Sequence, residues 1–347
     1  MSLRYRTAVL AVLTSSAVFV PAVAATAAQN PASIPTLVPA AHSGPRCDVT
    51  HAPRRAAGTY SKVFRHGPSV PHLANWTPQG LSTWHNWDDK GHNLLLMGMY
   101  RRGAQSYLVG INPKTGAHVG TVRTKASHFG SLGVAGHWVI GQNSSGKHEH
   151  NYVRRYLTSS LRDAMRSSKA HGTKPYLSPT GAPQRVRSVG FMAVTGKSVW
   201  LGKHSKANPT RMYRYKVDSG GHLEESGGPW KVPPRTQGVL VTKHKFIFSS
   251  SHGGGPGKLT VVDRSAPNHP VACVTTPAMP ENMTIDGGKV YASYESGAGQ
   301  YAKHASSNVR DLRTGLLRNL VNLGAGAGGV GGHAAALSAH HHHRHVR

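Results

Sequence analysis

Residues 233–263 read PPRTQGVLVTKHKFIFSSSHGGGPGKLTVVD, a turn, two apolar strands, a Gly-rich turn and a further strand ending in Asp. The same phrase recurs at residues 77–116, TPQGLSTWHNWDDKGHNLLLMGMYRRGAQSYLVGINPKTG, with Gln79-Gly80 matching Gln237-Gly238. A unit of about 40 to 50 residues holding several short strands is the signature of a propeller blade, because one such unit cannot bury its apolar faces without neighbours.

Three more units fit the frame. Residues 127–142, SHFGSLGVAGHWVIGQ, and residues 186–225 each open with a strand, a tight turn and a second strand. Residues 280–304 carry Asp286-Gly287 as a hairpin turn, followed by a strand near residues 308–314. The fold class is therefore all-β: a single β-propeller of five to six blades over residues 76–318, the sixth to be found in the weakly patterned N-terminal region. Residues 28–75 read as a linker followed by a leading strand, TYSKVF at Thr59 to Phe64, which is expected to close the ring as terminal strands do in propellers. One short helix is inserted after the strand at residue 152. Ser160 and Asp163 have capping-box spacing, and Leu161 and Met165 share a face at i, i+4. Residues 319–347 are a Gly/Ala/His-rich tail whose composition predicts disorder.

Arg4 and Arg6 precede an apolar run and small residues, so residues 1–27 read as a secretory signal with cleavage after Ala24 or Ala27. No later run is long enough to span a membrane. The expected mature protein is secreted, extracellular and monomeric. Cys47 and Cys273 are the two cysteines, and a pair in an exported chain points to one disulfide; closing so long a loop contributes about 4 kcal/mol by chain entropy. Two free thiols or a metal pair are the alternatives, but neither Cys has a His or Cys at ligand spacing.

Forty-one Lys and Arg face 13 acidic residues, for a formal net charge of +28. That surplus attracts polyanions, and the partner expected is an anionic cell-surface polymer or polysaccharide. The same scarcity of carboxylates leaves few places to hold calcium. The densest of the 24 His residues are KHEH at residues 147–150 and HHHHRH at residues 340–345. Two His two apart on a loop chelate only with help from elsewhere, so no native metal site and no cofactor are expected.

The phrases Pro78-Gln79-Gly80 and Tyr294-Glu295-Ser296, with the Asn-Pro-Lys-Thr-Gly turn at residues 112–116, resemble a group of secreted actinobacterial β-propeller proteins with YVTN- or NHL-like repeats. The resemblance covers roughly residues 76 to 310 and implies the fold. More distantly the chain is similar to gluconolactonase-like and phytase-like propellers, which act through residues at the channel mouth. The clustered carboxylates with which the alkaline phytases hold calcium are absent.

In a propeller the innermost strand of each blade lines a central channel. Laying the units on one another places Gln79, Ser131, Ser188 or Val189, Gln237 and Glu281 where the chain enters that strand. Tyr100, Arg101, Gln142, Asn143, Lys203, His204, residues 250–252 and Glu295 stand at the ends of the strands that return. Gln79, Tyr100, Arg101, Gln142, Lys203 and Gln237 are the candidate ligand-binding residues. Glu281 and Glu295, with His204 or His252, are the candidate catalytic residues, since paired carboxyls near an imidazole do acid/base work. The bland reading of that pair is an ion-paired structural element in an otherwise positive channel. SSSHGGG lacks a nucleophile elbow, and P-loop and dinucleotide fingerprints are absent. The expected function is a binding module for an anionic polymer or carbohydrate; the alternative is a secreted hydrolase or lactonase-like enzyme at the channel mouth.

Overall fold

The computed structural model describes residues 56–144 and 151–323. Cys47, the expected signal segment at residues 1–27, and the clusters at residues 147–150 and 340–345 lie outside the described residues, so the expected Cys47 to Cys273 pairing does too.

In chain order the elements are α1 (Ala56–Val63), β1 (Phe64–Ser69), β2 (Thr77–Trp84), β3 (Leu94–Tyr100), β4 (Ser106–Ile111), β5 (His118–Thr124), β6 (Leu132–Ala135), β7 (Trp138–Gln142) and β8 (Tyr152–Leu157). There follow α2 (Thr158–His171), β9 (Tyr176–Leu177), β10 (Gln184–Arg185), β11 (Phe191–Thr195), β12 (Ser198–Gly202), β13 (Thr210–Val217) and β14 (Leu223–Val232). The last are β15 (Thr236–Val241), β16 (Lys245–Ser250), β17 (Pro256–Asp263), β18 (Ala266–Ala278), β19 (Pro280–Asp286), β20 (Lys289–Tyr294), β21 (Asp311–Leu316) and α3 (Leu317–Val321).

These strands form five sheets, ordered β2-β3-β4-β5-β9, β6-β7-β8-β10, β11-β12-β13-β14, β15-β16-β17-β18 and β19-β20-β21-β1. The protein is thus a five-bladed β-propeller. Within each blade the consecutive strands pair antiparallel, with β9 added in parallel to the edge of the first. No sixth blade is built from the N-terminal region among the described residues. That region instead supplies β1, which pairs antiparallel with β21 and completes the fifth blade.

The closing strand is displaced from its expected place. Thr59 to Val63 belong to α1, and the strand begins only at Phe64. The apolar residues Tyr60, Val63 and Phe64 are spaced i, i+3, i+4, a helical period and not an alternating one. All three are buried in one cluster with Leu240, Ile247, Val261, Met283 and Tyr294. The Tyr60 and Phe64 rings stack at 4.7 Å, and the Tyr60 and Tyr294 hydroxyls hydrogen-bond at 2.5 Å.

The core is divided among the gaps between blades, five apolar clusters in all among the described residues. The inserted helix α2 covers the outer edge of the first blade. Leu161 and Met165 are fully buried there, as their spacing requires. The capping box does not form: α2 begins at Thr158, Ser160 lies inside its first turn, and Leu157 precedes it with no side-chain cap. The helix is held at its other end instead, where the Ser168 hydroxyl accepts from the Thr121 backbone N–H at 2.9 Å and left-handed Gly172 ends it.

Candidate functional site at the channel mouth

The innermost strands β2, β6, β11, β15 and β19 pack around a common axis and run in the same sense. Each begins at one mouth of the channel, near Gln79, Ser131, Val189, Gln237 and Glu281, and ends at the other. The far end is closed down to a cavity of about 110 Å³ lined by Leu81, Thr83, Val134, Val194, Val241 and Ile285 among others. His85 is the one titratable residue of that lining, whereas Glu281 and Glu295 stand at the mouth where the strands begin.

The repeated Gln-Gly phrase has a local cause. A Cβ at Gly80 would lie 2.6 Å from the Phe129 carbonyl oxygen and from Leu132 Cβ, and one at Gly238 would lie 2.7 Å from the Glu281 carbonyl oxygen. Glycine lets adjacent inner strands touch, and the Gly80 N–H donates to the Phe129 oxygen at 2.8 Å. A second repeated feature sits two residues ahead of Ser131, Gln237 and Glu281. Phe129, Arg235 and Met279 occupy those places, all with left-handed backbone, φ being 55°, 63° and 55°. Three non-glycine residues in that region are strained, and strain repeated at one register marks a turn that the architecture holds in place. The turn aims carbonyls back at the return strands: Ser251 N–H donates to Arg235 O and Glu295 N–H to Met279 O, each at 3.0 Å.

Glu295 is thereby brought beside Glu281. The Glu281 carboxyl is 2% exposed, whereas Glu295 reaches the open mouth. Gln237 Nε2 donates to Glu281 Oε1 at 3.0 Å, and Gln79 Nε2 donates to Glu295 Oε1. The two carboxyls are close enough for each to shift the other's pKa. Burial, then the charge of Glu295, drives the Glu281 carboxyl well above the usual range, so Glu281 is the more protonated of the pair. Burial pushes Glu295 up to about 7, against the opposing pull of its bond from Gln79 and of neighbouring Glu281. Burial and these two acids together push the nearby Tyr301 phenol up to about 12.

The imidazoles form a separate arc of the mouth. His128 packs its ring 4.9 Å from Tyr100, and its pKa is lowered by burial and by His204. His128 is nevertheless exposed. His204 Nδ1 is 3.1 Å from the Thr236 carbonyl oxygen. His252 lies apart, beside Arg235 and Lys258, its pKa lowered first by burial and then by those cations. Among the described residues Gln79 Oε1, Gln142 Oε1, Ser131 Oγ, Ser250 Oγ and His252 Nε2 are buried without a hydrogen-bond partner.

Of the residues expected from the repeat, Glu281, Glu295, Gln79 and Gln237 converge in one hydrogen-bonded cluster. Tyr100 and His204 stand beside His128, and Gln142 Oε1 and His128 Nδ1 both lie against Gly130. Arg101 turns away, its guanidinium 5.0 Å over the Trp76 ring, and Lys203 is exposed with its side chain unpaired among the described residues. The expected approach of basic groups to the two acids does not occur; two amides take that place. His128 and Tyr301 were not expected. His128 stands three residues before Ser131, as Trp76 stands before Gln79, and that register was the available signal; Tyr301 lies in a loop with no counterpart in the repeat.

No protein-family model matches the sequence, and no curated protein matches it. Solved structures with a similar backbone include the GH43_1 enzyme from Xanthomonas citri, 10% identical with a TM-score of 0.41, covering 76% of this chain and 93% of that one. Another is a Bacteroides fragilis protein assigned as a 6-phosphogluconolactonase, 12% identical, TM-score 0.33, covering 61% of each chain. A third belongs to a nidogen/laminin complex, 10% identical, TM-score 0.35, covering 63% of this chain and 73% of that one. These likenesses concern the path of the backbone. Among the described residues no helix is long and apolar enough to cross a membrane, and no group of three His, Cys, Asp or Glu is placed to hold a metal ion.

Proposed function

We propose that this five-bladed propeller is an exported binding protein whose channel mouth takes a hydroxyl-rich ligand, a carbohydrate, and whose net charge of +28 concentrates it on anionic polymers. The observation that carries the reading is the set of acceptors gathered where the inner strands begin. Gln79 Oε1 and Gln142 Oε1 are acceptors with no donor assigned to them among the described residues, Glu295 keeps acceptor capacity beyond its bond from Gln79, and Tyr100 and Tyr301 supply aromatic and phenolic surface. Sugar hydroxyls are donors that suit such acceptors, and a bare anion is not. Calorimetric titration with neutral and uronic-acid oligosaccharides tests it. Wild-type protein is expected to bind, and Gln79→Leu or Glu295→Gln to weaken binding about tenfold or more, the cost of losing a hydrogen bond to a charged or buried group. Equal affinity of the two variants and the wild type would remove the mouth from the reading.

One observation favours a second reading, a hydrolase or lactonase-like enzyme. A carboxyl that burial raises to about 7 while leaving it partly exposed can accept or deliver a proton at working pH. The pair does not suit two-carboxylate glycoside cleavage, which needs the carboxyls about 5 to 9 Å apart with sugar or water between them. Turnover of a lactone or ester by wild type, abolished in Glu295→Gln with the fold intact, would establish it.

A further inference from the structure

We infer that the cleft between the third and fourth blades is a second binding site, specific for oxoanion groups, phosphate or sulfate esters, carried on a polymer. It deepens the polyanion half of the reading above and is independent of the mouth. The cleft, about 480 Å³, is walled by Pro209, Pro229 and Pro267 and floored by Arg211, Lys231 and Asn268. Its lining contains two cations and no carboxylate.

The register makes that pairing unusual. Arg211 on β13 and Lys231 on β14 are directly opposed across the antiparallel ladder. Like charges at opposed positions destabilise a strand pair, whereas opposite charges stabilise it. The same two strands show the ordinary solution one turn of sequence away, where Lys216 is opposed to Glu224. Neither Arg211 nor Lys231 has a hydrogen bond or ion pair from its side chain among the described residues, and both are exposed. The one hydroxyl nearby, that of Thr210, is spent on the Lys203 carbonyl at 2.5 Å. Two unpaired cations held side by side, an amide within the same cleft, and proline walls whose φ is fixed make a preorganised seat for an oxoanion. A bound oxoanion converts the opposed like charges into a bridged pair, so the arrangement that costs the free protein stability is the one that favours the complex. The spread of charge elsewhere on the chain explains attraction from a distance; it does not explain why these two cations face each other.

The test uses dextran sulfate, with uncharged dextran of equal length as the reference, in binding titrations at moderate ionic strength. Arg211→Gln combined with Lys231→Gln is expected to weaken dextran sulfate binding roughly tenfold, the product of two exposed charge contacts. Lys114→Gln combined with Lys125→Gln removes the same net charge from exposed positions on the first blade and is expected to change binding less than twofold. Long-chain polyphosphate, which carries oxoanions and has no sugar hydroxyl to offer the mouth, is titrated in parallel: the Arg211→Gln, Lys231→Gln protein is expected to lose the same factor with it, and undiminished polyphosphate binding would overturn this site whatever the mouth does. Equal losses in the two Gln double variants mean diffuse attraction and overturn the proposal, as does a wild type that binds dextran sulfate no better than dextran. Inorganic phosphate competing at the same concentration as the ester groups would show a seat for the free ion and overturn specificity for the polymer.

Discussion

Glu281 and Glu295 stand side by side with both carboxyls raised by burial, Glu281 the further, and each accepts from a glutamine of another blade, Glu281 from Gln237 and Glu295 from Gln79. Three blades therefore meet through two acids and two amides.

The pair makes stability depend on pH in a stated direction. Glu295 has its pKa raised in the fold from 4.5 to about 7. A carboxyl raised in this way binds its proton more tightly in the folded state, so its contribution is fully present below pH 4.5 and is lost as the pH climbs to about 7. With allowance for solvent at the mouth the loss is roughly 1–2 kcal/mol. Urea unfolding of wild type and Glu295→Gln across pH 4.5 to 7.5 should show their difference shrinking over that window; the comparison cancels the titrating histidines.

Gln79 stabilises the charged form of Glu295, since a bond from an amide N–H favours carboxylate over acid. Replacing it by Leu should raise the Glu295 pKa further, by about one unit if the bond is worth what charged hydrogen bonds usually are. Infrared bands of carboxyl and carboxylate, followed with pH, read this directly.

The lowered pKa of His128 comes from burial and from His204. His204→Gln removes the second cause and leaves the first, so His128 should move up toward 6.5 without reaching it. Imidazole proton resonances titrated in both proteins check the shift.

Ring closure depends on α1 and β1 together. Phe64 is the first residue of the closing strand, stacks on Tyr60 and is buried between the fourth and fifth blades. Phe64→Ala should cost about 3–5 kcal/mol, the range for removing a buried aromatic side chain. A change below 1 kcal/mol in the unfolding midpoint analysis would mean that β1 is dispensable.

The repeat at residues 233–263 carried the architecture, because its strands alternate with turns whose chemistry is local. What it carried less well was closure. Tyr60, Val63 and Phe64 have a helical period inside a segment that also has strand-forming residues, and the period decides when a tertiary partner such as Tyr294 is present. The helix was legible from Leu161 and Met165, since burial follows spacing; its start was not, since Ser160 makes no cap where the chain arrives directly from β8.

At the mouth, aligning Gln79, Gln237 and Glu281 sufficed to bring those three together. Their partners were harder to read. Arg101 follows Tyr100 along the chain but stacks on Trp76, and no periodicity in one blade tells which neighbour offers a ring. The turns at Phe129, Arg235 and Met279 were invisible for a different reason: left-handed backbone is announced by Gly or Asn, and none of these three residues is either.

The most direct measurement is a carbon-13 titration of the glutamate side-chain carboxyls by NMR, assigned with Glu281→Gln and Glu295→Gln. Burial of the two neighbouring acids predicts one carboxyl, that of Glu295, titrating near pH 7, and a second, that of Glu281, still protonated there. Two carboxyls that both ionise near 4.5 would contradict it.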